Sequence, residues 1–191
     1  AVVFAGPSHS GKSSLSAAFH RNGYSLISED VVAFDKRDTG IFIRPGYPGV
    51  RLYRDTLNLL YGPGAVTDAM QVDQKYLHRL ESIPSAACPV RAIYLLAPRN
   101  PELDQPKLTP VDHKSALLAS TNLLYLHRFG PKEWVVRDFP RLGELVQQVP
   151  VYVLERPDCL ASLDDTIDLV LKQQAAAKPE RPDLGQPTME L

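Results

Sequence analysis

Residues 1–19 read AVVFAGPSHSGKSSLSAAF, and their reading decides the fold class. Ala1 to Ala5 is an unbroken apolar run stopped by Gly6, the pattern of a strand buried on both faces of a parallel sheet. Gly6-Pro7-Ser8-His9-Ser10-Gly11-Lys12-Ser13 then completes a G-x-x-x-x-G-K-[ST] motif. From Lys12 to Asn22 the apolar residues Leu15, Ala18 and Phe19 form one helical stripe, and Gly23 stands where a helix end favours positive φ. Tyr24 to Ser28 reads as a second, parallel strand, so the segment is expected to be a right-handed β-α-β unit with the glycine loop at its first turn. A domain does not begin on its own central strand, so a segment upstream of Ala1 is expected.

The placement of the motif between strand and helix gives it chemical meaning. Glycines let successive N–H groups turn inward toward an anion, and the helix presents its positive N-terminal end to the same point. Gly6, Ser8, His9, Ser10, Gly11, Lys12, Ser13 and Ser14 are therefore the candidate nucleotide-binding set. Lys12 is expected to reach the β- and γ-phosphates of a nucleoside triphosphate, and the Ser13 hydroxyl to ligate Mg²⁺. His9 is given no catalytic role. Glu29 and Asp30 follow within 18 residues of Lys12. Parallel strands open their carboxyl ends on one edge, so this acid pair should stand beside the loop. One acid would serve the metal shell and the other would take a proton from an acceptor hydroxyl.

Outward from this segment, Val31–Asp35 and Ile41–Arg44 flank a turn and suggest a hairpin, and a short helix is expected at Arg54–Tyr61. Residues 62–89 are weakly patterned and read as a long, partly mobile connection. Val90–Ala97 and Val151–Leu154 read as strands. Thr109 with Pro110 is expected to open a helix carrying Leu117, Leu118, Leu124 and Tyr125, another helix lies near Pro140–Gln148, and Ser162 with Asp165 resembles a capping box before a final one. Residues 1–174 are read as one catalytic domain and 175–191 as a disordered tail. Trp134, Val135 and Val136 read as core or interface, and His113 and His127 as helix-surface residues.

The chain has 191 residues, 21 Lys+Arg against 22 Asp+Glu, and a net charge of -1, which supplies no global field for nucleic acid or an anionic membrane. Apolar runs are too short to span a bilayer. Cys88 and Cys159 make neither a disulfide framework nor a metal motif, which fits a reducing cytoplasm. Arg44, Arg51 and Arg54 surround a Gly/Pro loop and are candidates to hold substrate phosphate or a peptide carboxylate. Tyr53 and Tyr47 are expected to pack that loop.

GPSHSGKSSLSAAFHRNGYSLISEDVVAF resembles the nucleotide-binding segment of the HPr kinase/phosphorylase family, which is related in fold to the phosphoenolpyruvate carboxykinases. RPGYPGVRLYRD is similar to a smaller branch, the HPr-kinase-like serine kinases associated with phosphorylation of lasso-peptide precursors. The resemblance implies an α/β P-loop domain with a mixed central sheet flanked by helices, using ATP and Mg²⁺ to phosphorylate a serine of a peptide or protein, and members assemble as oligomers. It also implies that Glu29 stands at the general base, a position usually held by Asp, and Asp30 at a metal-associated acid. Ser14 replaces a Glu, and the long glycine-rich signature of the true HPr kinases is absent, which points away from HPr itself as acceptor. A small-molecule kinase, a nucleotide-dependent switch and a binding module that keeps the loop as a relic are the rival readings.

Overall fold

The computed structural model describes residues 1–47, 49–81, 84–121, 123–124 and 132–177, and shows a mixed α/β protein. In chain order the described elements are β1 (Val2–Ala5), α1 (Lys12–Arg21), β2 (Phe34–Arg37), β3 (Gly40–Ile43), β4 (Gly49–Leu52), α2 (Arg54–Tyr61), α3 (Ala65–Asp68), β5 (Met70–Val72), β6 (Lys75–Arg79), β7 (Cys88–Pro89), β8 (Ala92–Leu96), β9 (Lys107–Pro110), α4 (His113–Thr121), α5 (Lys132–Gln148), β10 (Val151–Glu155) and α6 (Leu163–Ala176).

The main sheet has the order β1-β8-β10-β9. β1 and β10 both run parallel to β8, and β9 closes the far edge antiparallel to β10. Two-residue alternation sorts its side chains between two cores. Tyr94, Leu96 and Leu154 face one side, against Leu15, Ala18 and Phe19 of α1 and Ile167 and Val170 of α6. Val3, Ile93, Leu95 and Val151 face the other, against Ala116 of α4 and Leu142, Leu145 and Val146 of α5. Helices thus cover both faces, which is why β1, β8 and β10 read as apolar runs in the sequence. Small sheets flank this layer: β2-β3-β7, which packs Ile41 and Ile43 into the second core, and β4-β6-β5, which adds Val50, Leu52 and Tyr76 to the first.

Several expectations need correction. Tyr24–Ser28 forms no strand, and β1 takes β8 as its parallel partner. β1 accordingly lies at an edge of the sheet and is not central. The hairpin exists with shifted strands: Arg37 pairs with Gly40 around the two-residue turn Asp38-Thr39. Residues 62–89 hold α3, β5, β6 and β7 instead of a bare connection. Their strands are short and belong to small sheets, so they carry little periodic signal. Lys107–Pro110 is a strand, and the next helix is capped by Asp112, whose Oδ1 accepts from the N–H groups of Lys114 (3.1 Å) and Ser115 (3.0 Å). Ser162 precedes α6, yet its hydroxyl turns back to the Cys159 carbonyl (2.8 Å) and no capping box forms.

Trp134 and Val136 are exposed on α5 and so are not core. The side chain of Val135, the residues Tyr125 and His127, and the tail from 178 onward lie outside the described residues. Among the described residues, no helix is long and apolar enough to cross a membrane.

α1, α2 and β6 meet around His20, Tyr61 and His78. The rings of Tyr61 and His78 have centroids 4.3 Å apart, and Tyr61 Oη lies 3.1 Å from His20 Nδ1. Burial, reinforced by His20 and opposed by Asp68, lowers the His78 pKa below its ordinary 6.5. The unfolded chain therefore takes up this proton first as pH falls. The stability it carries is complete above about 6.5, is lost as pH drops toward the folded value, and levels off below it. Thermal unfolding at pH 7.5 and 5.5 should show a smaller acid-induced fall in Tm for His78→Gln than for the parent; equal falls would remove His78 as the source.

Candidate functional site

β1 ends at Ala5 and the chain turns through Gly6–Gly11 into α1. His9 (φ 65) and Gly11 (φ 85) adopt the left-handed conformation, which curls the loop back on itself. The Ser10 N–H donates to the Pro7 carbonyl (3.3 Å), and Leu15 N–H to Gly11 O (3.0 Å) starts the helix. Lys12 Nζ donates to the same Pro7 carbonyl at 2.8 Å, so the side chain arches across the loop. Tyr53 Oη stands 3.2 Å from His9 Nδ1, and Lys75 Nζ lies 5.2 Å from the centre of the Tyr53 ring. The β5-β6 hairpin thereby reaches the loop through Tyr53.

The parallel strand expected to carry the acid pair does not form, and of the two acids Glu29 is the one that contacts the first turn of α1. The Gly46 N–H donates to the Ile27 carbonyl (2.8 Å), holding the 44–47 loop against the segment before the acids. A Cβ at Gly46 would fall 2.4 Å from Ser28 Oγ, so only glycine allows this approach. Glu29 Oε1 accepts from Ser13 Oγ at 3.0 Å and from the Arg51 N–H at 3.0 Å, and Glu29 Oε2 accepts from Arg51 Nε at 3.3 Å. Its side chain is 10% exposed, whereas that of Asp30, ion-paired with the same Arg51 guanidinium, is 54% exposed. The first acid is therefore tied to the first helical turn and the second faces solvent.

The three arginines do not converge on one groove. Arg51 neutralises the acid pair, Arg44 pairs with Asp35 at 3.3 Å, and Arg54 donates to Tyr76 Oη at 2.6 Å while stacking on its ring. Two other arginines, not singled out in the sequence, approach the loop. Arg99 follows β8 and Arg156 follows β10, at the carboxyl ends of the two strands parallel to β1. Arg156 is 4% exposed and donates from Nη2 to the Ser10 carbonyl. Arg99 pairs with Asp158 at 3.3 Å. Asking which residue follows each parallel strand would have found Arg156, and looking three residues past β8 would have found Arg99.

Gly11 has little room for a side chain: a Cβ would lie 3.1 Å from Arg99 Nη2 and 3.2 Å from Arg156 Nη1, so the two guanidinium groups would have to shift. Gly23 has nearly the same φ (87) but nothing within 4 Å of its Cβ position. Both alanine substitutions carry the left-handed backbone penalty of about 1–3 kcal/mol. Gly11→Ala is expected to lower thermal stability more than Gly23→Ala; equal losses would mean that the arginines yield freely.

A cavity of about 320 Å³ runs from Lys12, Ser13 and Glu29 along the outer edge of β1, with Phe4, Leu26 and Val170 in its walls. Among the described residues no three His, Cys, Asp or Glu side chains form a ready-made metal cluster. The oxygens of Ser13 and Glu29, 3.0 Å apart at the start of α1, are hard donors that suit Mg²⁺ held by one carboxylate, a hydroxyl and substrate phosphates. Compared with known proteins, the chain matches no family model, no curated protein and no solved structure.

Proposed function

We propose that the protein is an ATP- and Mg²⁺-dependent kinase of HPr-kinase-like P-loop type that phosphorylates a hydroxyl, with serine of a peptide or protein as the acceptor. The observation that carries this reading is the 3.0 Å contact between Ser13 Oγ and Glu29 Oε1, which joins the glycine loop to the acid pair. In this mechanism the amides of the loop and Lys12 hold the β- and γ-phosphates. Mg²⁺, held by Ser13 and Glu29, would neutralise charge on the transferred group. Phosphoryl transfer asks the protein mainly for positioning and charge neutralisation, so this small set is sufficient.

The resemblance places the base at Glu29 and the metal-associated acid at Asp30. The contacts support the opposite division of labour. Glu29 is engaged by Ser13 and Arg51, while Asp30 faces solvent, where an acceptor hydroxyl can arrive and lose its proton. Arg51 holds both carboxylates and so fixes their spacing.

A second reading has an observation of its own. The cavity beginning at Lys12, Ser13 and Glu29 is of a size for a small molecule, and the separated arginines make no peptide groove; both favour a small-molecule hydroxyl as acceptor. Incubation with ATP, Mg²⁺ and serine peptides, followed by mass spectrometry, tests the main reading. A phosphate-mass gain on serine supports it. ATP turnover with phosphate on no peptide, but on a small alcohol, supports the second. ATP hydrolysis with no phosphorylated acceptor contradicts both.

A further inference from the structure

Arg156 is a buried cation. The residue is 4% exposed, no carboxylate among the described residues pairs with it, and the charged group acting on it is another cation, Arg99. Nε has no hydrogen-bond partner. Burial, followed by the repulsion of Arg99, pulls its pKa down to about 10. An uncompensated charge of this kind is costly to bury, and an anion nearby relieves the cost. Its Nη2 donates to the Ser10 carbonyl, inside the glycine loop.

That bond has a geometric consequence. There is no cis peptide bond among the described residues, and in a planar trans peptide the C=O and the following N–H point in opposite directions. Holding the Ser10 carbonyl toward Arg156 therefore turns the Gly11 N–H away from it. Arg99 closes the same side, standing with Arg156 where a Gly11 side chain would be.

We propose that Arg156 is a positioning residue for triphosphate binding: by clamping the Ser10 carbonyl it fixes the Ser10–Gly11 peptide so that the Gly11 N–H is aimed at a bound phosphate. This rests on the reading of the loop as a phosphate site and assigns part of its preorganisation to a residue 146 positions away in the chain. The guanidinium acts in two ways. It removes the freedom of one loop peptide before the nucleotide arrives, and it adds fixed positive charge behind the loop where water does not screen it.

The test compares Mg-ATP affinity and apo-protein melting for the parent, Arg156→Lys and Arg156→Met, with Kd measured well below each melting point. Arg156→Met is expected to raise Kd by about tenfold or more, as for loss of a charge-assisted hydrogen bond. Arg156→Lys, which keeps charge and one donor, should recover part of that loss. A merely structural role would lower melting in Arg156→Met and leave Kd at the parent value, which would overturn the proposal. Should Arg156→Met fail to fold, the parent alone decides: its Gly11 amide resonance must shift on adding Mg-ATP, and an unmoved Gly11 signal beside shifting neighbours would overturn it. A parent that binds no Mg-ATP removes the kinase reading and this inference together, whereas a parent that binds it equally with Arg156→Met removes this inference alone.

Discussion

Lys12→Ala is expected to weaken Mg-ATP binding by at least about a hundredfold while leaving the fold intact. The ammonium is the one lysine at the head of α1, and in the structure it already lies across the loop on the Pro7 carbonyl, 2.8 Å away. At a phosphate oxygen the same ammonium meets an oppositely charged acceptor in place of a neutral carbonyl, which adds ion-pair attraction to the hydrogen bond. Nothing in the two cores depends on it, since Leu15, Ala18 and Phe19 carry the burial of α1. The melting temperature without ligand should therefore stay near the parent value, and the stabilisation by Mg-ATP should vanish. Titration with a fluorescent ATP analogue reads this out. Parent-like affinity in Lys12→Ala would remove the loop from nucleotide binding.

The second large effect separates the two acids. Glu29→Gln keeps the shape of the side chain but removes the charge that Ser13 and Arg51 engage. It should cost both the Mg²⁺-dependent part of ATP affinity and the transfer rate, the latter by about 10²–10⁴. Asp30→Asn alters a half-exposed carboxylate that makes no contact with Ser13. It should leave Mg-ATP affinity within about twofold and lower the rate by a similar factor of 10²–10⁴. Measured with the same acceptor, the reverse pattern would return the roles to those implied by the family resemblance. Asp30→Asn with full rate would leave Asp30 as a partner of Arg51 and nothing more.

The glycine loop and its helix were legible because their signals are local. A glycine at φ 85, a lysine after it and a three-residue apolar stripe all sit within one stretch of chain. β8 and β10 were legible for the same reason, being buried runs covered on both faces. Tyr24–Ser28 misled because a short β-forming run says nothing about which edge is free, and β1 pairs instead with a strand about 90 residues later. Lys107–Pro110 misled because Thr-Pro imitates a helix start, while Asp112, two residues beyond, supplies the cap through two N–H groups.

In the site, the expectation that Glu29 stands beside the loop rested on a parallel strand at Tyr24–Ser28 that does not form; Glu29 reaches Ser13 without it. What Arg51 does with that carboxylate was not legible either, because it depends on β4 bringing a backbone N–H and a guanidinium to the same side chain. Arg156 was silent for a related reason: one arginine after an apolar strand carries no pattern, and its meaning lies in the Ser10 carbonyl it meets.

In the proposed mechanism, Gly6–Ser13 holds the phosphates of a nucleotide beside Glu29. The most direct measurement is a calorimetric titration of the parent with ATP, with and without Mg²⁺. Saturable one-to-one binding, tightened by Mg²⁺ and lost with adenosine in place of ATP, is the predicted result. No binding at millimolar Mg-ATP, or binding of adenosine as tight as that of ATP, would contradict it.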